Sequence, residues 1–579
     1  MGLLLTYAKP YWKKIIVAVL SVTLLAASTL AQPQFLEKMM TAIIQDQSDV
    51  ILKNGAFLLA LAFLGIAAGI TGTYYASQVS QGVAADIRRA EYEKIQAFSL
   101  QQVQSYSSAN LVVRLTNDIN QVQQLVMQML QMVLRVPMMF LGAIILAIWT
   151  LPSLWWVVLL MIALIVLSSK RIFSMMGGYF GKIQQLIDQN NTLAQENLAG
   201  VRVVKSFNQQ GQEEASFADN TNELTAINRR IGYLFNLMFP IFMLISYAAI
   251  AAALLFISTS IKEAPDQLAK ITPFITYLNQ ILMALLMLGM ISTFASRGFV
   301  SLKRIGAVMA EETARLDKEA AGQPIDKAAF LTKGLRVEKL SFTYPKAKEP
   351  VLKDLSFELA AGQTLGIVGS TGSGKSTLAL LLARLYQPTA GTMTIDGEDV
   401  QNIQASDWHQ AVGIVMQKPV LFSGSIEKNL RMGNPDASQE ELAAAVRAAQ
   451  AEDFVQAYPD GLAHEISERS ANLSGGQKQR LSLARALVKK PRLLILDDAT
   501  SALDARSEKR VQEVLEKDFS KTTKVIIAEK IASIIHADQI LVLDEGRIVG
   551  VGSHQDLLDQ SPIYQEIYAS QKGKGADHE

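Results

Sequence analysis

The sequence predicts a multidomain membrane protein: a six-helix α transmembrane domain with long cytoplasmic helical extensions, followed by an α/β P-loop domain. Three observations predict it. Six stretches in the N-terminal half are apolar over roughly 20 residues, the length a helix needs to cross a bilayer. Gly369-Ser370-Thr371-Gly372-Ser373-Gly374-Lys375-Ser376 fits the phosphate-loop pattern G-x-x-x-x-G-K-[ST]. From about Leu335 to Tyr568, β-rich and helical segments alternate.

Composition agrees. Half of the 579 residues are hydrophobic and only 18% are charged, a bias that a membrane region explains. With 54 basic against 53 acidic residues, nothing in the balance points to nucleic acid as a partner. Cysteine is absent, which excludes disulfides, Cys-ligated zinc or iron–sulfur sites and thiol catalysis.

The spans are Ile15 to Phe35, Ala56 to Ala76, Leu125 to Trp149, Leu154 to Ser169, Leu234 to Ser258 and Ile271 to Met290. Lys13 and Lys14 before Ile15 to Ala26 imitate a signal peptide, but further spans follow, so this is an uncleaved first span. Met1 to Thr6 fits a myristoylation pattern by coincidence, because an integral protein needs no lipid tether. The connection Thr150-Leu151-Pro152-Ser153 is very short, whereas Ser77 to Gln124 and Lys170 to Tyr233 are long, polar-amphipathic and free of proline. Such segments read as spans that continue into water as helices, turn and return. The turns fall at about Ser105 to Asn110 and Phe207 to Glu213, so the cytoplasmic coupling loops are expected near 100–115 and 205–215.

Basic residues set the orientation. Arg88, Arg89, Arg114, Lys170, Arg171, Lys182, Arg202, Lys205, Arg229, Arg230, Arg297, Lys303 and Arg304 join Lys13 and Lys14 on one side, which is then cytoplasmic. The opposite side holds few, among them Lys53, Lys262 and Lys270. Both termini and the phosphate loop share the cytoplasmic side of a multi-pass cell-membrane protein. After Arg304 the chain becomes charged and then Gly/Pro-containing, which reads as a linker. The expected domains are a transmembrane domain over 1–310, a linker over 311–334 and a nucleotide-binding domain over 335–579.

The phosphate loop has the context it needs. Thr364 to Val368 reads as a buried strand and Thr377 to Ala383 as the helix that follows. Glycines let backbone N–H groups wrap phosphates, the helix N-terminus favours the negative charge, and Lys375 adds a cation near the terminal phosphates. The Ser376 hydroxyl is placed to ligate Mg2+.

Further along come Leu473-Ser474-Gly475-Gly476-Gln477, with Lys478-Gln479-Arg480 opening a helix, then Leu493 to Asp498, a buried strand ending in paired carboxylates, and Ser501-Ala502-Leu503-Asp504. With Gln417 after the strand Gly413 to Met416, these segments resemble the ATP-binding-cassette (ABC) family. The six-span region resembles its exporters, half-transporters with fused transmembrane and nucleotide-binding domains, and the likeness covers nearly the whole chain. The resemblance implies a dimer in which each ATP is held between the phosphate loop of one cassette and the signature Leu-Ser-Gly-Gly-Gln of the other. It implies that Tyr344 stacks on adenine, that Gly369 to Thr377 hold the phosphates, and that Asp497 and Gln417 join Ser376 around Mg2+. Asp504 crosses the dimer seam, and Glu468 lies in the stretch that faces the coupling loops. For Asp497 the chemistry agrees independently, since a carboxylate at a strand end beside a lysine-bound triphosphate can hold the metal.

Two positions depart from the family pattern. Members that hydrolyse ATP carry Glu after the strand-end Asp, and here it is Asp498. The shorter side chain keeps its charge but withdraws by more than about an ångström, a displacement of a size that can cost about a hundredfold in rate. After the strand Val525 to Ala528 the family expects a histidine toward the γ-phosphate, and this chain has Glu529, an anion where positive charge helps. His536 lies past a helical turn and is not expected to replace it. Both departures lie on this chain's own Walker side while its signature is intact, as in the degenerate-site subunit of bacterial heterodimeric multidrug exporters. The expected partner is a second exporter half carrying the competent Glu and His, and this chain alone is expected to have low ATPase activity.

The expected cargo is an amphiphilic or hydrophobic small molecule moved outward across the bilayer. Met127, Met129, Met132, Met138 and Met139 in span three and Met283, Met287 and Met290 in span six suit adaptable apolar binding, or plain helix packing. Arg135 and Gln131, with Asn279 and Gln280, are candidates to face a wet cavity, because intramembrane charge is costly elsewhere. The competing readings are a homodimeric lipid or peptide exporter, and an ATP-gated channel or regulatory subunit that binds nucleotide without turnover.

Overall fold

The computed structural model describes residues 2–260, 267–312, 323–345 and 347–572. Residues 313–322 of the expected linker, Lys262 and the Met290 side chain lie outside the described residues. The chain divides into two compact units, one of residues 1–92 and 112–310, the other of 93–111 and 311–579.

The first unit is helical. Among the described residues, six helical stretches are long and apolar enough to cross a membrane; five hold a sequence-derived window whole, and the sixth, Ala269–Leu288, overlaps the window Ile271 to Met290 up to Leu288. The helices outrun the apolar windows: Ser48–Gln96 has 49 residues, Trp155–Ala199 has 45 and Gln210–Ser260 has 51. At 1.5 Å per residue the longest reaches about 75 Å, more than twice the ~30 Å hydrocarbon layer, so the proline-free polar segments extend the spans as helix. Small residues allow close packing. A Cβ on Gly65 would stand 3.3 Å from Ser28 Oγ, and one on Gly72 would stand 3.3 Å from Ser21 Cβ, so Ser48–Gln96 lies against Trp12–Ile44. The Ser28 hydroxyl crosses that contact to the Leu61 carbonyl at 2.6 Å.

Span three is not one continuous α-helix. π-helical turns occupy Arg114–Asp118 and Met129–Val133, and a new α-helix runs over Arg135–Thr150. Pro137, third in that helix, has no N–H to offer the preceding turn, so the break falls just before Arg135. Hydrophobicity alone carries no sign of it. The second turn also differs from expectation. A short helix, Val201–Ser206, precedes the predicted bend at 207–213, and Gly200 ends the long helix before it, with its N–H donating to the Glu196 carbonyl at 2.8 Å.

The second unit is α/β. Its strands are β1 (Gly334–Phe342), β2 (Leu352–Ala360), β3 (Thr364–Gly369), β4 (Ala390–Ile395), β5 (Glu398–Asp399), β6 (Val412–Val415), β7 (Gly424–Ser425), β8 (Glu465–Ile466), β9 (Leu493–Asp497), β10 (Thr523–Ile527), β11 (Gln539–Asp544) and β12 (Arg547–Gly552). Among the described residues they form a sheet in the order β12-β11-β3-β10-β9-β6, an antiparallel sheet β2-β1-β4-β5 and the small pair β7-β8. In the first sheet only β12 runs antiparallel to its neighbour. Its five parallel strands are apolar on both faces, as buried parallel strands are. Leu365, Ile367, Leu493, Ile495, Val525 and Ile527 pack with β1, β2 and the helix Lys375–Leu382, while Leu494, Leu496 and Val415 face the helices Gln439–Ala448 and Gly475–Val488. Register then fixes the chemistry: β10 lies between β3 and β9, with Ile527 opposite both Ile367 and Asp497. The loop after β3, the end of β9 and the residues after β10 therefore emerge side by side at one sheet edge.

The helix Leu100–Tyr106 belongs to this second unit. Ser99 caps it through a reciprocal box with Gln102, worth about 1 kcal/mol. Leu100 packs on the cassette core, and the Tyr386 hydroxyl donates to Gln104 Oε1. This contact joins residues 282 apart in sequence.

Candidate functional site

The loop after β3 owes its shape to glycine. Gly372 and Gly374 have φ of +88° and +98°. A Cβ on Gly374 would lie 2.4 Å from Leu352 Cδ2, and one on Gly369 would lie 2.0 Å from the Leu543 carbonyl oxygen. Gly374 caps the helix Lys375–Leu382, whose unpaired N–H groups and dipole favour an anion.

Around this loop lies a cavity of about 310 Å³, lined by Thr371, Gly372, Gly374, Lys375, Ser376, Thr377, Gln417, Asp497, Asp498 and Glu529. The Lys375 ammonium donates to the carbonyls of Gly369 at 2.9 Å and Ser370 at 2.8 Å. Burial holds its pKa below the usual lysine value, while the carboxylates of Glu529, Asp497 and Asp498 pull the other way. Asp497 is 4% exposed, and burial, assisted by Asp498, raises its pKa against the opposing influence of Ser376 and Lys375. The Ser376 hydroxyl donates to Asp497 Oδ1 at 3.1 Å. Ser373 Oγ is buried without a hydrogen-bond partner among the described residues. A hydroxyl, a carboxylate and the Gln417 amide form an all-oxygen donor set, which suits a hard cation such as Mg2+.

The two departures lie in this cavity. Asp498 takes φ +50° and is pinned by its backbone: its N–H donates to the Ile527 carbonyl at 2.9 Å, and its carbonyl accepts from Ser501 Oγ at 3.0 Å. Glu529 follows β10, and its carbonyl accepts from Gln571 Nε2 at 2.8 Å. His536 is not among the cavity-lining residues. Tyr344 stands beside the loop, sharing a hydrogen bond with Thr377 Oγ1 at 3.0 Å and packing edge-on against Phe342 and Tyr386.

Other predicted residues lie elsewhere on the same unit. Ser474 is the N-cap of Gly475–Val488, closing a reciprocal box with Gln477. The helix thus begins at Gly475, three residues before the expected Lys478. Ser474 and Gly475 are exposed, and a Cβ on Gly476 would meet the Ala502 carbonyl at 2.9 Å. Asp504 caps Ala505–Lys517, accepting from Ser507 N at 2.9 Å and Ser507 Oγ at 2.7 Å. Among the described residues lining the Lys375 cavity, none comes from Ser474–Gln477 or Asp504. Sequence reasoning missed Leu352, which wedges against the loop, and Tyr386, which holds Gln104. Neither carries a local motif.

A second cavity, of about 270 Å³, lies among the membrane-type helices. It brings together Arg135, Met139, Asn279, Gln280, Met283 and Met287 from the sequence-derived candidates, and adds Thr276. Gln131 and the other span-three methionines are not in its lining. Met127 and Met138 instead accept from Ser80 Oγ at 3.8 Å and Thr23 Oγ1 at 4.0 Å, which are packing contacts between helices.

Residues 352–501 match the family described as ABC transporter, and residues 15–285 match the ABC transporter transmembrane region. An uncharacterized ABC transporter ATP-binding protein of Bacillus subtilis, YfiB, is 34% identical over 571 residues, which are 98% of each chain. The chain belongs to the ABC transporter family. The ATP-dependent lipid A-core flippase of Chromobacterium violaceum is 29% identical, covering 98% of this chain and 96% of the flippase. YgaD of Bacillus subtilis, provisionally named a multidrug export ATP-binding/permease protein, is 30% identical over 98% of both chains. The structure of a bacterial Atm1-family ABC exporter with ATP bound superposes with a TM-score of 0.76 at 26% identity, covering 96% of this chain and 98% of that one. This ABC transporter is therefore a multi-pass membrane protein of the exporter fold, with an ATPase domain coupled to transport.

Proposed function

We propose that this ABC transporter is one half of a heterodimeric exporter of amphiphilic compounds, holding a catalytically weak ATP site of its own and lending its signature to a competent site on its partner. One observation carries the reading. The Lys375 cavity contains the loop, Ser376 and Asp497 needed to bind nucleotide, yet its two remaining carboxylates are Asp498 and Glu529. Ser376, Asp497 and Gln417 would hold Mg2+, whose charge neutralises phosphate oxygens during phosphoryl transfer. Tyr344 lies beside the loop for adenine, and exposed Ser474 and Gly475 are free to face a second cassette. Leu100–Tyr106 serves as one coupling helix. Val201–Ser206, with Val203 60% and Phe207 71% exposed, serves as the other. The distribution of basic residues supports a cytoplasmic cassette and cytoplasmic termini, and the bacterial relatives support a bacterial cell membrane. The provisional multidrug name of YgaD supports the cargo class.

The test is ATP hydrolysis by the purified chain, alone and together with an exporter half encoded beside it. Low turnover alone, rising when the partner is added, is expected; restoring the family residues in this chain, D498E with E529H, raises the rate of the chain alone. Fast Mg2+-dependent hydrolysis by the unmodified chain alone would refute the reading. It would favour a homodimeric lipid exporter, the alternative that the flippase relative supports.

A further inference from the structure

We infer that the cavity among the membrane helices is a binding site for anionic amphiphiles, with Arg135 as the residue that selects for negative charge. The inference deepens the export reading and rests on it for the direction of transport.

The six apolar windows contain no Asp, Glu, Lys or His, and their one ionisable acid–base side chain of the Asp/Glu/Lys/Arg/His set is Arg135. A guanidinium does not lose its proton, so within a bilayer it needs water, a counter-ion or a polar cavity. Among the described residues no carboxylate lies within ion-pair distance of Arg135. The fold sets it on the cavity: the π-helical turn Met129–Val133 ends beside it, Arg135 opens the next α-helix, and its side chain lines the 270 Å³ space.

The remaining walls define the rest of the ligand. Asn279 and Gln280 bring amide groups, and Gln280 Oε1 is buried with no hydrogen-bond partner among the described residues. Met139, Met283 and Met287 supply unbranched, polarisable surface that fits apolar bodies of varied shape. A lone cation, two amides and a thioether wall complement a molecule with one anionic head and an apolar body. A cationic drug would face an unpaired like charge.

The test compares two probes with the same apolar body, dansylaminoundecanoate and its uncharged methyl ester. Their binding to the full-length chain in phosphatidylcholine nanodiscs is read by dansyl fluorescence, after subtraction of empty nanodiscs. The wild-type chain binds the carboxylate about tenfold or more tightly than the ester, the range of a charge-assisted hydrogen bond. Arg135→Gln brings the ratio close to one through loss of carboxylate affinity alone, and Arg135→Lys keeps most of the preference. Nucleotide binding by each variant reports that the chain is folded. Equal affinity for acid and ester in the wild type, or an unchanged ratio in Arg135→Gln, overturns the inference. Charge-selective binding without ATP-driven accumulation of the carboxylate in proteoliposomes supports the site and counts against the export reading instead.

Discussion

The Ser376 hydroxyl and the Asp497 carboxylate meet at 3.1 Å, joining the helix that begins at the phosphate loop to the end of β9. The two residues are 121 apart in sequence, and the parallel register of β3, β10 and β9 brings them together. Asp497→Asn removes the negative charge that favours Mg2+, and Ser376→Ala removes a hydroxyl donor suited to it. Nucleotide affinity in the presence of Mg2+ falls about tenfold to a hundredfold in each variant, and affinity in EDTA stays close to that of the wild type. Fluorescent-ATP titration under the two conditions checks this. Equal losses with and without Mg2+ would mean that the pair only shapes the loop.

Glu529 sets a negative charge near Lys375 in a cavity built for phosphates. At separations of about 8 Å and an effective dielectric of about 20, repulsion between a carboxylate and one phosphate charge is about 2 kcal/mol. Glu529→Gln therefore tightens ATP binding by roughly tenfold, and Glu529→His tightens it further when protonated. The gain shrinks with added salt. Unchanged affinity in Glu529→Gln would place its carboxylate away from the bound triphosphate.

The path from the short helix to the cassette is also specific. Leu100 packs on the cassette core and Gln104 accepts from the Tyr386 hydroxyl. Tyr386→Phe removes one hydrogen bond, about 1 kcal/mol, and Leu100→Ala removes apolar contact worth about 2 kcal/mol. Nucleotide binding is retained in both, whereas in the proposed complex with a partner half the stimulation of ATPase activity by amphiphilic compounds falls several-fold, more in the double variant. Full stimulation in the double variant would show that force passes elsewhere.

These cases show what the chain reveals unaided and what it conceals. The loop, Asp497, Gln417 and both departures were legible because each ends or follows a short apolar strand, and parallel strands deliver their ends to one edge. Leu352 and Tyr386 were not legible, because their roles come from contacts made across the fold. The helical extensions were readable from long, proline-free, polar-amphipathic segments. The π-helical turns were not, because hydrophobic windows are insensitive to one extra residue per turn. Arg135 was visible as an unusual charge, but its place beside Asn279, Gln280 and the methionines of the cavity comes from packing between helices.

Burial of Glu91 gives the last prediction. It lies fifteen residues past Ala76, about 22 Å along the helix axis and beyond the apolar window. Its side chain is fully buried, and neither carboxylate oxygen has a hydrogen-bond partner among the described residues. Nearby Asp118 is better served, since its Oδ1 accepts from Ser301 Oγ at 2.7 Å and stands 3.7 Å from Arg304 Nη1. Burial pushes the Glu91 pKa from 4.5 to about 7, with the Asp118 charge acting the same way and Arg114 opposing. A carboxyl whose folded pKa is raised binds its proton more tightly when folded, so its protonated form is the stabilised one. Stability is then greatest below the unfolded value and declines as pH rises from about 4.5 through about 7. Glu91→Gln keeps the shape without the ionisation. In detergent, the thermal midpoint of the wild type falls by several degrees between about pH 5 and pH 8, whereas that of Glu91→Gln changes less and is the higher at about pH 8. Parallel curves for the two proteins would show that Glu91 is ionised throughout, held by Arg114 more strongly than its burial opposes.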